Sequence, residues 1–210
     1  MTSIYLGEFI ALATIHFLAV VAPGPDFAVT VSQSIRFGRK IGFYTALGIG
    51  AGISVHVIYT LLGVGALMHA WPSLMIAAKV MGAAYVLYLG IQLLRAKSKP
   101  VSTTEIIRLN NGQTPWKAYV TGFLTNATNP KATLFFLAIF TTIVSATTPI
   151  RIQMLYGIWM CTVNAVWFIL VSALFSSPKV RETFLHLGHW FERLMGLVLV
   201  VFAARLLLTL

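Results

Sequence analysis

The stretch that decides the fold is APGPD at residues 22–26, which interrupts an apolar run extending from about residue 4 to residue 35. Two prolines within three residues remove two backbone N–H donors and clash with the preceding turn, so they break a helix rather than bend it. A second motif, NPK at residues 129–131, interrupts the apolar run at 118–147 in the same way. The sequence therefore predicts two helices that each stop and restart within an apolar environment.

The composition indicates that this environment is lipid. Of the 210 residues, 58% are apolar and 10% are charged, and the mean hydropathy is +0.86. Soluble domains are roughly half apolar and a quarter charged, so these few charges cannot cover a water-facing surface. We therefore expect an all-α integral membrane protein.

Six apolar runs predict six membrane-spanning helices, because a crossing needs about 20 apolar residues. We expect a single membrane domain over residues 1–210, with a polar cytoplasmic linker at 96–116. The runs lie at about 4–35, 41–67, 71–94, 118–147, 150–175 and 191–210.

Basic residues predict the orientation, since cytoplasmic loops are rich in Lys and Arg. Eleven of the 15 basic residues lie on alternate connections, which places both termini outside. The net charge of +10 is spread along these loops rather than gathered with aromatic residues, so it indicates a membrane protein and not a nucleic-acid partner. The eleven residues are Arg36, Arg39, Lys40, Arg95, Lys97, Lys99, Arg108, Lys117, Lys179, Arg181 and Arg193.

Two internal matches indicate a duplicated three-helix unit. A shift of 105 residues aligns 22–26 with 127–131, and a shift of 114 aligns 79–82 with 193–196. Because three crossings are an odd number, the second copy must be inverted in the bilayer, as in many secondary transporters. The predicted repeats are residues 1–95 and 117–210; chance similarity between short apolar segments is the alternative.

Each proline motif also begins a half-helix at mid-membrane. Pro25 and Pro130 suit the first helical position, and Gly24 and Asn129 suit the cap before it. Two half-helix starts offer N–H groups and positive dipole ends that favour a carboxylate. The alternative interpretation is that Pro23 and its counterparts only kink a packed bundle.

Asp26 and Lys131 occupy equivalent positions in the two motifs and carry opposite charges. An acid in the first turn of a helix is favoured by the dipole, whereas a cation there is disfavoured and needs another stabilising group. A charge at the bilayer centre costs about 2.5–3.5 kcal/mol on insertion scales, so it is usually paired or functional. Asp26 and Lys131 are therefore either a structural ion pair or a substrate site.

Three further features each allow a functional and a structural interpretation. Asn126 lies in an apolar run and either lines a cavity or forms an interhelical hydrogen bond. Lys79 either has a functional role or extends its ammonium toward the membrane surface. The acid and histidine face from 182 to 192 either holds a metal ion or is the solvated side of an interfacial helix.

The motifs resemble those of the lysine exporter (LysE-type) family of bacterial inner-membrane amino-acid exporters. The similarity comprises APGPDF at 22–27, the pattern K-x2-G-x2-Y-x4-G at 79–90, and NPK at 129–131 followed by FF at 135–136. It extends from about residue 5 to residue 210. The segments 125–126 (TN) and 140–142 (FTT) are closer to the threonine-efflux branch.

The resemblance implies six helices in two inverted halves and proton-driven export of a small amino acid. The transport site would comprise Asp26 and Lys131, with no cofactor and no enzymatic activity. We expect the lipid bilayer, protons and an amino acid such as threonine or homoserine as partners, and a homodimer is plausible. A metal-cation exporter is the alternative, followed by an intramembrane enzyme. By position, the resemblance also extends the site to Pro23, Gly24, Pro25, Asn129 and Pro130, and Lys79 matches a lysine of the family.

Overall fold

The computed structural model describes residues 2–70, 72–97, 113–145 and 147–208, and all regular structure within these ranges is helical. This confirms the predicted all-α class. Most of the predicted linker at 96–116 lies outside the described residues. The described helices are α1 (Thr2–Val21), α2 (Pro25–Phe37), α3 (Arg39–Ala70), α4 (Pro72–Leu94), α5 (Pro115–Ala127), α6 (Pro130–Thr142), α7 (Ile150–Phe175) and α8 (Pro178–Leu208).

Both proline motifs interrupt a helix at the positions that the sequence predicted. Helix α1 ends at Val21 and α2 begins at Pro25, with a bend of 51° between them. Helix α5 ends at Ala127 and α6 begins at Pro130. Each proline stands in the first helical turn, where its missing N–H removes no intrahelical hydrogen bond.

Three helical segments in the described part of the chain are long and apolar enough to cross a membrane, namely Arg39–Gly63, Ile76–Leu94 and Ile150–Phe175. The bent pair α1 and α2 adds a fourth candidate. Helices α5 and α6 have 13 residues each, fewer than the about 20 that a crossing needs. Length and composition thus support three or four spans, and the six-helix arrangement stays a prediction.

The exterior of the helices is apolar. Large side chains on α3, α4, α7 and α8 are more than half exposed, including those of Leu62, Ile76, Leu155 and Val201. A soluble monomer rarely exposes apolar surface on this scale, whereas a lipid-facing surface requires it. The helices therefore form a membrane protein.

Glycines allow α3 and α5 to pack with their backbones in contact. A Cβ atom added at Gly48 would overlap the carbonyl oxygen of Tyr119, and one added at Gly122 would overlap that of Thr45. Glycines at these positions thus let two membrane helices approach closely, and the structure identifies α5 as the partner of α3.

Similar close approaches hold the other long helices together. A Cβ at Gly50 of α3 would lie 2.7 Å from the Cβ of Ala165 on α7. A Cβ at Gly196 of α8 would lie 2.7 Å from the carbonyl oxygen of Gly90 on α4. Helix α3 thus lies between α5 and α7, and α4 packs against α8 and α6.

One end of the bundle carries exposed basic residues. Gln113, before α5, donates a hydrogen bond of 3.2 Å to Gln33 near the end of α2. Ser172, near the end of α7, donates one of 3.1 Å to the carbonyl of Arg39 at the start of α3. These contacts gather four helix termini at one end of the molecule. Exposed basic residues there are Arg36, Arg39, Lys40, Lys117 and Lys179.

Glu8 links helices at the end of the bundle opposite to these basic residues. Its carboxylate accepts hydrogen bonds from the backbone N–H of Ser145 at 3.2 Å and from the hydroxyl of Thr148 at 2.8 and 2.9 Å. The hydroxyl of Tyr156 lies 3.4 Å away on α7. One acidic side chain on α1 thereby holds the α6–α7 connection and α7 together.

Candidate functional site

The two helix breaks meet, and Asp26 is the centre of their contact. Its Oδ2 atom accepts a hydrogen bond of 2.9 Å from the Asn126 amide and one of 3.3 Å from the Asn129 amide. Asn126 lies at the end of α5, and Asn129 precedes α6. The other carboxylate oxygen, Oδ1, is buried and has no hydrogen-bond partner in the described part of the structure. Asp26 therefore joins α2 to the second break and keeps one anionic oxygen unused.

Asn129 caps α6, so the two half-helix starts are not equivalent. Its Oδ1 atom accepts a hydrogen bond of 3.0 Å from the backbone N–H of Lys131, while its amide donates to Asp26. Gly24, the cap residue of α2, makes no side-chain hydrogen bond to its helix. The sequence predicted two available helix starts. The structure shows that one of them, that of α6, is already capped by a side chain.

The ammonium of Lys131 binds the end of α1. Its Nζ atom donates to the carbonyl oxygens of Ala19 at 3.3 Å and Ala22 at 3.2 Å. In an uninterrupted helix the Ala19 carbonyl would accept from the N–H of residue 23, but Pro23 has none. The C-terminal end of a helix also carries partial negative charge, which favours a cation.

This contact explains a cation that the sequence left without a partner. Lys131 belongs to the first turn of α6, where the dipole disfavours it, yet its side chain reaches the favourable end of α1. The structure thus joins the Lys131 ammonium to backbone carbonyls rather than to the Asp26 carboxylate. The carbonyl of Ala22 is therefore occupied by Lys131 in this structure.

The contacts of the two motifs are reciprocal. Asp26, at the start of α2, bonds to Asn126 at the end of α5. Lys131, at the start of α6, bonds to Ala22 immediately after α1. Each charged residue therefore reaches from the second half of one broken helix to the end of the first half of the other.

A cavity of about 50 Å³ lies at this junction. It exceeds the roughly 10–15 Å³ that a single water molecule requires, so unpartnered atoms in its walls can face water or a small solute. Its lining includes both charged residues of the motifs. The predicted site residues that line it are Gly24, Asp26, Asn126, Asn129 and Lys131.

The remaining predicted residues lie elsewhere. Pro23 and Pro130 line a neighbouring groove of about 370 Å³, which shares Lys131 with the cavity. Pro25 is exposed, and Lys79 is half-buried on α4. Neither of these two residues lines the cavity or the groove. The family-based prediction for Lys79 therefore has no contact with this junction to support it.

His16 and Asn164 form a part of the cavity wall that the sequence analysis did not assign. His16 lies on α1 and is 1% exposed. Its Nε2 atom lies 2.9 Å from the Asn164 amide nitrogen on α7, and its Nδ1 atom has no partner among the described residues. The available signal was a histidine within an apolar run, since ionisable groups inside membrane helices are usually functional.

His56 supports Asn126 from α3. Its Nε2 atom lies 2.9 Å from the carbonyl oxygen of Asn126, and its Nδ1 atom lies 3.1 Å from the hydroxyl of Tyr59. Tyr59 in turn donates to the carbonyl of Thr133 on α6 at 3.2 Å. This chain of contacts holds the end of α5 and the start of α6 in place around the cavity.

The predicted metal-binding face concerned Glu182, His186, His189 and Glu192. The side chains of Glu182 and His186 lie outside the described residues, so that hypothesis stays untested. Within the described ranges, no three His, Cys, Asp or Glu side chains group as metal ligands would.

Comparison with known proteins identifies similar chains. A family model described as "LysE type translocator" matches residues 17–210. The threonine efflux protein of Escherichia coli (strain K12) is 27% identical over 209 residues, which cover 96% of this chain and 98% of that protein. The threonine efflux protein of Salmonella typhi is 28% identical over 207 residues, covering 96% and 98%.

A further relative carries a different substrate in its name. The leucine efflux protein of Salmonella choleraesuis (strain SC-B67) is 30% identical over 194 residues, covering 89% of this chain and 88% of that protein. No solved structure matches the chain.

Proposed function

Because the chain belongs to the LysE-type translocator family, we propose that it is a secondary-active exporter of small neutral amino acids such as threonine or homoserine. Members of this family are translocators, so transport rather than catalysis is the expected activity. The observation that carries the proposal is the cavity between the helix breaks, whose walls contain both Asp26 and Lys131. An amino acid at neutral pH carries an ammonium, which complements Asp26, and a carboxylate, which complements Lys131.

The ammonium of the substrate would bind at Asp26 and Asn126. The Oδ1 atoms of both side chains are buried and have no partner in the described structure. Both are acceptors, and an ammonium group provides three N–H donors. A buried acceptor without a donor is unfavourable, so a cation with several donors is the ligand group that best satisfies this pair.

The carboxylate of the substrate would bind at Lys131 and the start of α2. The Lys131 ammonium has three N–H bonds and uses two of them on the carbonyls of Ala19 and Ala22. Gly24 provides no side-chain cap, so the backbone N–H of Asp26, in the first turn of α2, would donate to that carboxylate. A Cβ atom at Gly24 would lie 3.5 Å from Lys131 Nζ, so the absence of a side chain keeps this position open.

The charges in the wall favour a substrate without a charged side chain. Among the residues that line the cavity, the carboxylate and the ammonium side chains are those of Asp26 and Lys131. These two match the backbone ammonium and carboxylate of an amino acid. A third charge on the substrate would then be buried without a counter-charge, which is costly.

We propose six crossings arranged as two inverted three-helix repeats, with both termini outside a bacterial inner membrane. The reciprocal contacts of Asp26 and Lys131 support the inverted repeat, because equivalent residues make equivalent cross-contacts. The exposed basic residues at one end of the bundle support a cytoplasmic placement of that end. Transport would occur when one repeat rocks against the other around the cavity.

Proton antiport would act through Asp26. This side chain is the acid in the cavity wall, and it would hold either a proton or the substrate ammonium. Protonation from the outer side would remove the negative charge and release the ammonium. Export would then be driven by the inward proton gradient.

Counterflow in proteoliposomes tests the proposal. Vesicles loaded with unlabelled threonine should accumulate radiolabelled threonine when they contain the wild-type protein. Asp26→Asn should lower the initial rate about 10- to 150-fold, because a hydrogen bond to a charged group is worth about 1.5–3 kcal/mol.

Glu105→Gln is the matched control, since it also converts an acid to an amide but lies in the polar linker. It should exchange threonine at the wild-type rate. An unchanged rate in Asp26→Asn, with equal amounts of protein in the vesicles, would show that the site assignment is wrong.

A further inference from the structure

We propose that His16 and Asn164 recognise the side chain of the substrate and select amino acids that bear a hydroxyl group. This inference rests on the function proposed above. It gives a role to the part of the cavity that the ammonium and the carboxylate of the substrate do not occupy. Both residues line the same cavity as Asp26 and Lys131. His16 belongs to α1 and Asn164 to α7.

The position of His16 suits a side chain rather than the backbone of an amino acid. Lys131 binds the carbonyls of Ala19 and Ala22, which are three and six residues beyond His16 on the same segment. At 1.5 Å per residue these positions lie about 4.5 and 9 Å along the helix axis from His16. A small substrate with its carboxylate at Lys131 would extend its side chain toward His16.

The hydrogen bonds of the pair leave one donor without a partner. The Asn164 amide donates to the carbonyl of Met160 at 3.0 Å and contacts His16 Nε2 at 2.9 Å, so Nε2 acts as the acceptor. A neutral imidazole with an accepting Nε2 carries its proton on Nδ1. That N–H is buried and has no partner within the described ranges. A hydroxyl oxygen would accept from it.

The surroundings of this donor are apolar. The rings of Phe135 and Phe136 lie with their centres 6.1 and 6.2 Å from the His16 ring, and both residues line the cavity with Ile53 and Phe168. A side chain that combines carbon atoms with a single hydroxyl fits such a wall. A purely apolar side chain of the same size would leave the N–H unpaired, which a binding site built around a polar group disfavours.

Threonine and valine provide the test, because they have nearly the same shape and differ in one hydroxyl. Competition between the two is measured in the counterflow assay with wild-type protein, His16→Leu and His16→Gln. The wild type should prefer threonine about 5- to 150-fold, the range that corresponds to about 1–3 kcal/mol for an unpaired buried group. His16→Leu should lose this preference while it still exchanges valine. His16→Gln retains an N–H donor and should recover part of the preference.

The control is His189→Leu, which removes a histidine on α8 that does not line the cavity. It should keep the wild-type ratio of threonine to valine. If His16→Leu lowers exchange of both amino acids equally, His16 has only a structural role and the inference is overturned. Equal exchange of threonine and valine by the wild type would overturn it as well and leave the proposed function standing. Exchange of neither amino acid would refute the proposed function and the inference together.

Discussion

The contact of Lys131 with the end of α1 predicts a specific coupling with Pro23. Lys131 Nζ donates to the Ala19 carbonyl because Pro23 supplies no N–H to it. Lys131→Met removes that donor and leaves the carbonyl unpaired. Pro23→Ala restores a backbone N–H at the position from which a helix would pair it. The alanine should therefore stabilise the methionine variant more than it stabilises the wild type.

The interaction between the two substitutions is more informative than either single effect. Lys131→Met loses two hydrogen bonds to a charged group, about 1.5–3 kcal/mol each, but it also removes a charge that costs about 2.5–3.5 kcal/mol in a membrane. The loss of about 3–6 kcal/mol is thus partly offset by the about 2.5–3.5 kcal/mol regained. The coupling in the double-mutant cycle isolates the single restored hydrogen bond, about 1 kcal/mol. For a chain of this size that corresponds to roughly 2–4 °C in unfolding temperature.

Thermal unfolding in detergent can be followed with a thiol-reactive dye, since the chain has one cysteine, Cys161, which is half-buried on α7. Wild type, both single variants and the double variant complete the cycle. Pro149→Ala, at the start of α7, is the matched proline control and should add to Lys131→Met without coupling. A coupling of zero for Pro23→Ala, or one equal to that of Pro149→Ala, would refute the contact between Lys131 and the broken end of α1.

Two further predictions concern the packing of α3 against α5 and the hydrogen bonds of Glu8, and both use the same unfolding assay. Gly48→Ala should lower the unfolding temperature by about 2–12 °C, because overpacking costs about 1–3 kcal/mol. Gly63→Ala should not lower it, since no atom of the described residues lies within 4 Å of the added methyl; equal shifts would contradict the α3–α5 contact. Glu8→Ala should destabilise the protein by about 1–3 kcal/mol, because the Ser145 N–H and the Thr148 hydroxyl lose their acceptor. An unfolding temperature identical to that of the wild type would show that the Glu8 carboxylate does not hold α1 to the α6–α7 connection.

Local features of the fold were predictable because they depend on covalent chemistry. Proline lacks an N–H whatever surrounds it, so the breaks before Pro25 and Pro130 could be placed from the sequence. The apolar character of the helices follows from composition in the same way. The number of crossings was less accessible, because α2, α5 and α6 have 13 residues each and are individually too short to cross a bilayer.

Contacts within the site were predictable only in part. Asp26 and Lys131 stood out because a charge in an apolar run is costly, and both line the cavity. Their partners did not stand out. His16 and Asn164 are 148 residues apart, and nothing in the pattern of either helix indicates which side chain of the other it meets.

The sequence by itself determined that this is a helical membrane chain, that two of its apolar segments break at proline, and that each break carries a charge. The tertiary structure decided where those charges go. It directs the Lys131 ammonium to the carbonyls of Ala19 and Ala22 at the end of α1 and leaves an Asp26 oxygen without a partner among the described residues. The physical reason is that helical periodicity assigns residues to faces, whereas the choice of facing helix depends on close approaches between distant glycines such as Gly48 and Gly122.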